Sequence, residues 1–414
     1  MRISHQLNSL CHGTLTIVLA GGQGERLDSL TRERAKPAVP FGGSYRLIDF
    51  TLSNCINSGI RRIYILTQYM STTLERHVHE AWNIVSGELN EFIQTVPPQR
   101  KMADRWYEGT ADAIFHNINI LQKETPQRVL ILSGDHVYKM DYRKMLEFHL
   151  SREAHLTVGA VPVVMEQASR FAVLEIDREG RITSFEEKPA NPKPLPNDRS
   201  KCLVSMGVYV FQTDTLVRAL IEDAKKNTEH DFGRSIIPQV LEAGGRTYCY
   251  DFSTCTGKEN NYWRDIGTID SYWEASMDLL RVNPKFTLDD ENWPIRSYQE
   301  QAAPAKIMCC GKFNQRTQVF NSLICGGCEV NATQVERSIL SWRTHIGSGT
   351  QISESITMRD VQLGRNAKIR RAIIDEGVSI PEGYRIGYDP REDASRFVIS
   401  PGGIVVVPAG MHLD

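Results

Sequence analysis

The chain has 414 residues, 41% of them hydrophobic, and its 48 Lys and Arg against 50 Asp and Glu leave a formal net charge of -2. That length predicts two or three domains. The balanced charge excludes a protein that works as a whole by gripping nucleic acid or a membrane surface. No apolar run approaches the ~20 residues of a membrane span. The polar stretch Met1–His12 and the short apolar run after it argue against a signal peptide, so a cytoplasmic location is expected. The nine cysteines are odd in number and scattered, which reads as reduced thiols. Cys309-Cys310 and Cys325-x-x-Cys328 are their only clusters. Neither the spacing between them nor a following His pair fits a zinc knuckle.

In chain order, strands are expected over Thr14–Ala20, Ile63–Thr67, Val129–Leu132, Leu156–Val164 and Val204–Phe211. Helices are expected over Leu47–Ser58, Ser71–Trp82, Ala111–Lys123 and Tyr142–Ser151. Continuous apolar strands separated by helices predict a Rossmann-like α/β domain whose mostly parallel sheet is covered on both faces. Ligands in such sheets bind at the carboxyl ends of strands. Gly21-Gly-Gln-Gly24 follows the first strand and Gly134-Asp135 the third.

The composition shifts near Asn283. Pro284 to Lys306 holds three prolines and a charged Asp-Asp-Glu, without periodicity, and reads as a linker. Beyond it an apolar residue recurs every six: Leu340, Ile346, Ile352 and Met358, then after a slip of one Leu363 and Ile369, then Ile374, Ile380 and Ile386. Glycines stand beside these positions at 347, 364 and 387. An amphipathic helix would need a 3.6 period and few glycines. A left-handed parallel β-helix of hexapeptide coils is expected instead. The boundaries drawn are 1–283 for the α/β domain, 284–306 for the linker and 307–414 for the β-helix.

Bare backbone N–H groups in a glycine-rich turn can cradle phosphates. The dinucleotide fingerprint fails here because position 27 is Leu, and a Walker A loop fails for want of Gly-Lys-Ser/Thr. Gly-Gly-x-Gly-x-Arg-Leu is present, and Lys36-Pro37 follows ten residues after Arg26. Two cations beside the glycines suit a polyphosphate that departs as pyrophosphate. Read singly, each of these strings is equally a turn or a solvated strand end.

As an ordered set they resemble a known family. Leu19-Ala-Gly-Gly-Gln-Gly-Glu-Arg-Leu27 resembles the signature loop of the sugar-nucleotide pyrophosphorylases. Arg34-Ala-Lys-Pro-Ala-Val39, Leu52-Ser-Asn-Cys-Ile-Asn-Ser-Gly-Ile60, Trp106-Tyr-Glu-Gly-Thr-Ala-Asp-Ala113, Gly134-Asp-His-Val-Tyr138, Glu187-Lys-Pro-Ala190, Tyr262-Trp-Arg-Asp-Ile-Gly267 and Asn292-Trp-Pro-Ile-Arg296 narrow the resemblance to the bacterial ADP-glucose pyrophosphorylases, the glucose-1-phosphate adenylyltransferases. It runs from about residue 14 to about residue 400.

The resemblance implies that ATP and glucose 1-phosphate give ADP-glucose and pyrophosphate with Mg²⁺, feeding glycogen or another α-glucan. Leu19, Ala20 and the backbone of Gly21, Gly22 and Gly24 would hold the nucleotide phosphates. Arg26 would bind the β and γ phosphates, and Lys36 would stabilise the leaving group. Asp135 and Asp265 would hold the metal. Gln68 and the Gly109-Thr110-Ala111 turn would face adenine. Lys188 would neutralise the sugar phosphate, Glu187 and Ser205 would bond glucose hydroxyls, and Tyr107 and Ala172 would lie near the sugar. A homotetramer is implied, with a sugar-phosphate activator and an inhibitor of the AMP, ADP or phosphate type.

Three positions depart from the pattern. Ala172 stands where many bacterial relatives have Gly. Glu33 stands where enteric-type enzymes place an activator-binding Lys, and Ser395-Arg396-Phe397 replaces Arg-Arg-Phe. A carboxylate at a bisphosphate site is repulsive, so fructose 1,6-bisphosphate is expected to activate poorly. Glu33 and Arg396 are the regulatory candidates. The competing readings are a non-catalytic regulatory paralogue, against which Arg26, Lys36, Asp135, Lys188 and Asp265 are all retained; an acyltransferase using His345; and the same chemistry on another sugar or nucleotide.

Overall fold

A computed structural model describes residues 10–22, 24–98, 106–255, 262–308 and 317–413. The Cys309-Cys310 pair lies outside the described residues. The first strand, β1 (Thr14–Ala20), is flanked in parallel by β2 (Arg62–Thr67) and, on its other side, by β4 (Arg128–Ser133); β3 (Phe92–Val96) extends the sheet beyond β2. Helices α1 (Leu47–Asn57), α2 (Ser71–Ala81), α3 (Thr110–Phe115) and α4 (Ile118–Glu124) supply the crossovers. Alternate residues of β1 serve opposite faces. Val18 and Ala20 join one buried cluster with Leu130 and Leu132, while Leu15 and Ile17 join another with Val129 and Ile131. Burial on both faces explains why these strands read as unbroken apolar runs.

The helix expected over Ala111–Lys123 is two helices, broken at Asn117. Its Nδ2 donates to the Ala113 carbonyl at 2.8 Å and to the Tyr107 hydroxyl at 3.1 Å. An Asn that captures its own helix's carbonyl offers the chain an exit from the helix.

A short strand β5 (His136–Tyr138) leads into α5 (Tyr142–Ser151), then β6 (Leu156–Val164), the hairpin of β7 (Ala172–Ile176) and β8 (Ile182–Glu187), and the long β9 (Lys201–Gln212). β9 runs antiparallel to β4, β6 and β7. β8 and β9 both run antiparallel to β7, and residues 188–200 join them without a helix. Helices α6 (Thr213–Asp223) and α7 (Ile237–Glu242) precede β10 (Thr247–Asp251), which pairs in parallel with β6. β11 (Trp263–Asp265) pairs antiparallel with β5, setting Asp265 opposite His136. Helix α8 (Ile269–Asp278) closes this part of the chain.

Residues 284–305 contain no helix or strand, yet Phe286 and Ile295 are buried. The remainder is three stacks of short parallel strands wound as coils, with a last helix α9 (Pro390–Arg396) near its end. Registers such as Ile339 with Ile356 and Gln362 with Ser379 repeat every 17 residues. The expected hexapeptide positions are all buried. One is assigned differently: Thr357, not Met358, stacks in register between Leu340 and Ile374. Its hydroxyl lies 3.0 Å from that of Thr344, which satisfies it inside the coil. Met358 packs outward with Ile339, Ile356 and Ile373 into a cluster shared with Phe50, Tyr272 and Phe286 of the α/β part.

Candidate active site

β1 and β4 end side by side, and the Gly134 amide donates to the Leu19 carbonyl at 3.1 Å. A cavity of about 670 Å³ opens at these ends. Leu19, Ala20, Gly21, Gly22, Lys36, Gln68 and Asp135 line it, as do Tyr107, Gly109, Thr110 and Glu187. Gly24 turns the loop with φ 69°, a left-handed conformation that glycine adopts without a Cβ clash. It lies against Lys36: a Cβ there would stand 3.2 Å from the Lys36 Cβ.

Lys36 is buried, and its Nζ donates to Asp135 Oδ2 at 2.5 Å and to Asp265 Oδ1 at 3.4 Å. Burial opposes the Lys36 charge, but the two carboxylates more than offset it and raise its pKa. Burial likewise opposes the Asp135 charge, while Lys36 and then His136 hold its carboxyl well below the usual carboxylate range. The Ser133 hydroxyl also donates to Asp135. Among the described residues, Asp135, His136 and Asp265 are the one group of at least three ligand-type side chains whose donor atoms lie within 4.8 Å of one another. His136 Nδ1 is buried without a partner. Two carboxylates suit a hard divalent cation that takes further oxygens from phosphate. Arg26 is exposed beside this cluster, its Nη2 3.3 Å from where a Cβ on Gly267 would stand.

The other expected residues sit around this centre rather than in the cavity wall. Ala111 is buried, and its amide donates to the His230 carbonyl at 2.9 Å. Ala172 is buried in the core beneath the sheet, paired across the hairpin with Glu187. Ser205 is buried, and its Oγ donates to the Tyr209 hydroxyl at 3.2 Å. Lys188 adopts φ 50°, half-exposed, with Nζ 3.3 Å from Glu187 Oε1. Glu33 and Arg396 do not line the cavity; Glu33 borders a separate space of about 250 Å³ between the α/β part and the coils. Cys325 and Cys328 are free thiols, and burial pushes Cys325 up to about 12.

Tyr209, Asp231, Phe232 and Gly233 also line the cavity, and none was expected from the sequence. Asp231 accepts from the amides of Gly233 and Arg234 and from the Thr110 hydroxyl at 2.7 Å. An Asp-Phe-Gly string ahead of Ile236-Ile-Pro was the available signal, a capping acid before a helical turn.

The model of the family described as nucleotidyl transferase matches residues 15–282, and that of the GlmU-like C-terminal hexapeptide matches 303–407. Glucose-1-phosphate adenylyltransferase of Rhodopirellula baltica is 46% identical over 402 residues, which cover 96% of this chain and 90% of that protein. Glucose-1-phosphate adenylyltransferase 1 of Vibrio vulnificus strain YJ016 is 46% identical over 405 residues, covering 97% and 99%. The Nitrosococcus oceani enzyme of the same name is 43% identical over 406 residues, covering 98% and 96%. Likeness of this degree over both the nucleotidyl-transferase part and the coils places the chain in the glucose-1-phosphate adenylyltransferase family.

Proposed function

We propose that the cavity joins ATP and glucose 1-phosphate into ADP-glucose and pyrophosphate, and that Mg²⁺ is the divalent cation. The observation that carries the reading is the Lys36 ammonium held between Asp135 and Asp265 at the end of the glycine loop. An oxygen of the sugar phosphate attacks the α-phosphorus of ATP in line, the bond from that phosphorus to the bridging oxygen breaks, and pyrophosphate departs. Charge grows on the α-phosphate and the leaving group, so positioning and neutralisation dominate.

Gly21, Gly22 and Gly24 offer backbone N–H groups to the phosphates. Arg26, which has no carboxylate partner among the described residues, is available to the β and γ phosphates, and Lys36 to the departing pyrophosphate. Asp135 and Asp265 would hold the cation, which supplies charge neutralisation at the phosphate oxygens when bound. Gln68, Gly109 and Thr110 form the adenine side, with Ala111 next in the chain; Tyr107 and Glu187 form the sugar side, with Lys188 and Ser205 outside the wall. Ala172 is buried in the core and does not itself line the cavity. The product would supply α-glucan synthesis, in a homotetramer whose coils 307–414 carry the assembly contacts and whose 1–283 region carries catalysis.

Pyrophosphate release with glucose 1-phosphate, Mg²⁺ and each of the four nucleoside triphosphates tests this. Release with ATP alone, lost in Asp135→Asn, is expected. Release with another triphosphate, or an undiminished Asp135→Asn, overturns the nucleotide or the metal assignment respectively.

A further inference from the structure

The Leu52–Ile60 and Asn292–Arg296 strings take no part in lining the cavity, yet the fold brings them together. On one side, α1 holds the extended chain. Trp293 Nε1 donates to Asn54 Oδ1 at 2.8 Å, Asn57 Nδ2 donates to the Pro294 carbonyl at 2.9 Å, and the Arg296 amide donates to Ser53 Oγ at 2.8 Å. On the other side, α1 grips both ends of the segment that carries Asp135 and His136. Thr51 Oγ1 donates to the Ser133 carbonyl at 2.8 Å. Asn54 Nδ2 donates to the Tyr138 carbonyl at 3.1 Å, and Asn54 Oδ1 accepts the Met140 amide at 3.2 Å.

Asn54 is the one residue in both sets, and it is fully buried. Its three partners impose a single orientation on the amide. The Trp293 and Met140 N–H groups only donate, so they need Oδ1; the Tyr138 carbonyl only accepts, so it needs Nδ2. The end of β5 is therefore pinned by the same group that receives Trp293. β5 in turn sets β11 in register, with Tyr138 opposite Trp263 and His136 opposite Asp265.

We propose that Asn54 is a positioning residue through which the Asn292–Arg296 segment sets the separation of the Asp135 and Asp265 carboxylates. This rests on the metal-holding role given to those carboxylates above. Ser53 and Asn57 fasten the same segment but, among the described residues, make no side-chain hydrogen bond to β5. They distinguish positioning from general stability.

The test is Mn²⁺ binding to the full chain without nucleotide, followed by electron paramagnetic resonance beside thermal melting. Trp293→Phe keeps an aromatic ring, though a smaller one, and deletes the donor. It should weaken Mn²⁺ binding by about fivefold, the scale of one lost hydrogen bond. Asn57→Ala should lower the melting temperature similarly and leave Mn²⁺ affinity as in the wild type. Wild-type affinity in Trp293→Phe, or an equal loss in Asn57→Ala, overturns the proposal. Asp135→Asn is the reference. If it binds Mn²⁺ as tightly as the wild type, the metal reading fails by itself, and the junction is judged by kcat. A fall confined to Trp293→Phe supports it, and equal kcat values in both variants overturn it.

Discussion

Arg34 Nη2 donates to Asp375 Oδ1 at 2.8 Å, and both side chains are buried. Arg34 belongs to the loop that carries Lys36 two residues later, and Asp375 to a turn of the coils. The ion pair therefore fastens the loop that carries Lys36 to the β-helix. Removing one partner of a buried pair strands the other charge. Asp375→Ala should cost about 3–5 kcal/mol of stability. It should also lower kcat, because the loop that presents Lys36 loses its anchor. Urea unfolding and steady-state rates on the same variant check both effects.

Gly109 lies in extended backbone, and a Cβ there would stand 2.3 Å from the carbonyl oxygens of Glu229 and His230. The same His230 carbonyl accepts the amides of Ala111 and Asp112 at 2.9 and 3.2 Å. Gly109→Ala must push the two segments apart, at a cost of about 1–3 kcal/mol. Gly109 and Thr110 line the cavity on the side proposed for adenine, so KM for ATP should rise about tenfold or more. KM for glucose 1-phosphate should change less, which initial-rate kinetics on both substrates will show.

The space between the α/β part and the coils is lined by Arg32, Glu33, Arg34 and Asp375. Arg34 is committed to Asp375 and lies 3.7 Å from Glu376. Arg396 is engaged elsewhere, its Nη1 donating to the Tyr384 hydroxyl at 2.8 Å. Carboxylates so placed repel a bisphosphate. Fructose 1,6-bisphosphate should raise the rate by less than about twofold. Activation of tens-fold in the pyrophosphate assay would contradict this.

His149 is buried in α5, with Nδ1 2.8 Å from the Thr157 hydroxyl and Nε2 without a partner. Burial, then the charge of Arg128, lowers its pKa from 6.5 to about 4. The unfolded chain therefore binds a proton more readily than the folded one between these values. The stability His149 contributes is present above pH 6.5 and is lost as pH falls toward 4. The loss reaches about 3 kcal/mol at most. His149→Gln should flatten that part of the melting-temperature profile.

Strands such as Thr14–Ala20 and Leu156–Val164 were legible because burial on both faces leaves an uninterrupted apolar run with sharp ends. The coils were legible from their six-residue rhythm. The inward place of Thr357 was not, because its hydroxyl is satisfied by Thr344 and the Ile339 carbonyl, which only the wound coils bring to it. Nor was the break at Asn117, which depends on a side chain finding its own helix. In the site, the loops that carry Lys36, Asp135 and Asp265 each announce themselves by glycine or by charge. Tyr209 and Asp231 do not. They reach the cavity through a sheet register and a helix cap that only the folded chain brings about.

Ile339, Ile356 and Ile373 stand one above another, each a coil apart, and all three press on the α/β part. The coil stack therefore works as a ruler. Successive coils rise by about 4.8 Å, so deleting one whole 17-residue repeat would keep every rung stacked while sliding Asp375 a rung away from Arg34. The number of coils between Ile339 and Asp375 is thereby fixed by the reach of Arg34.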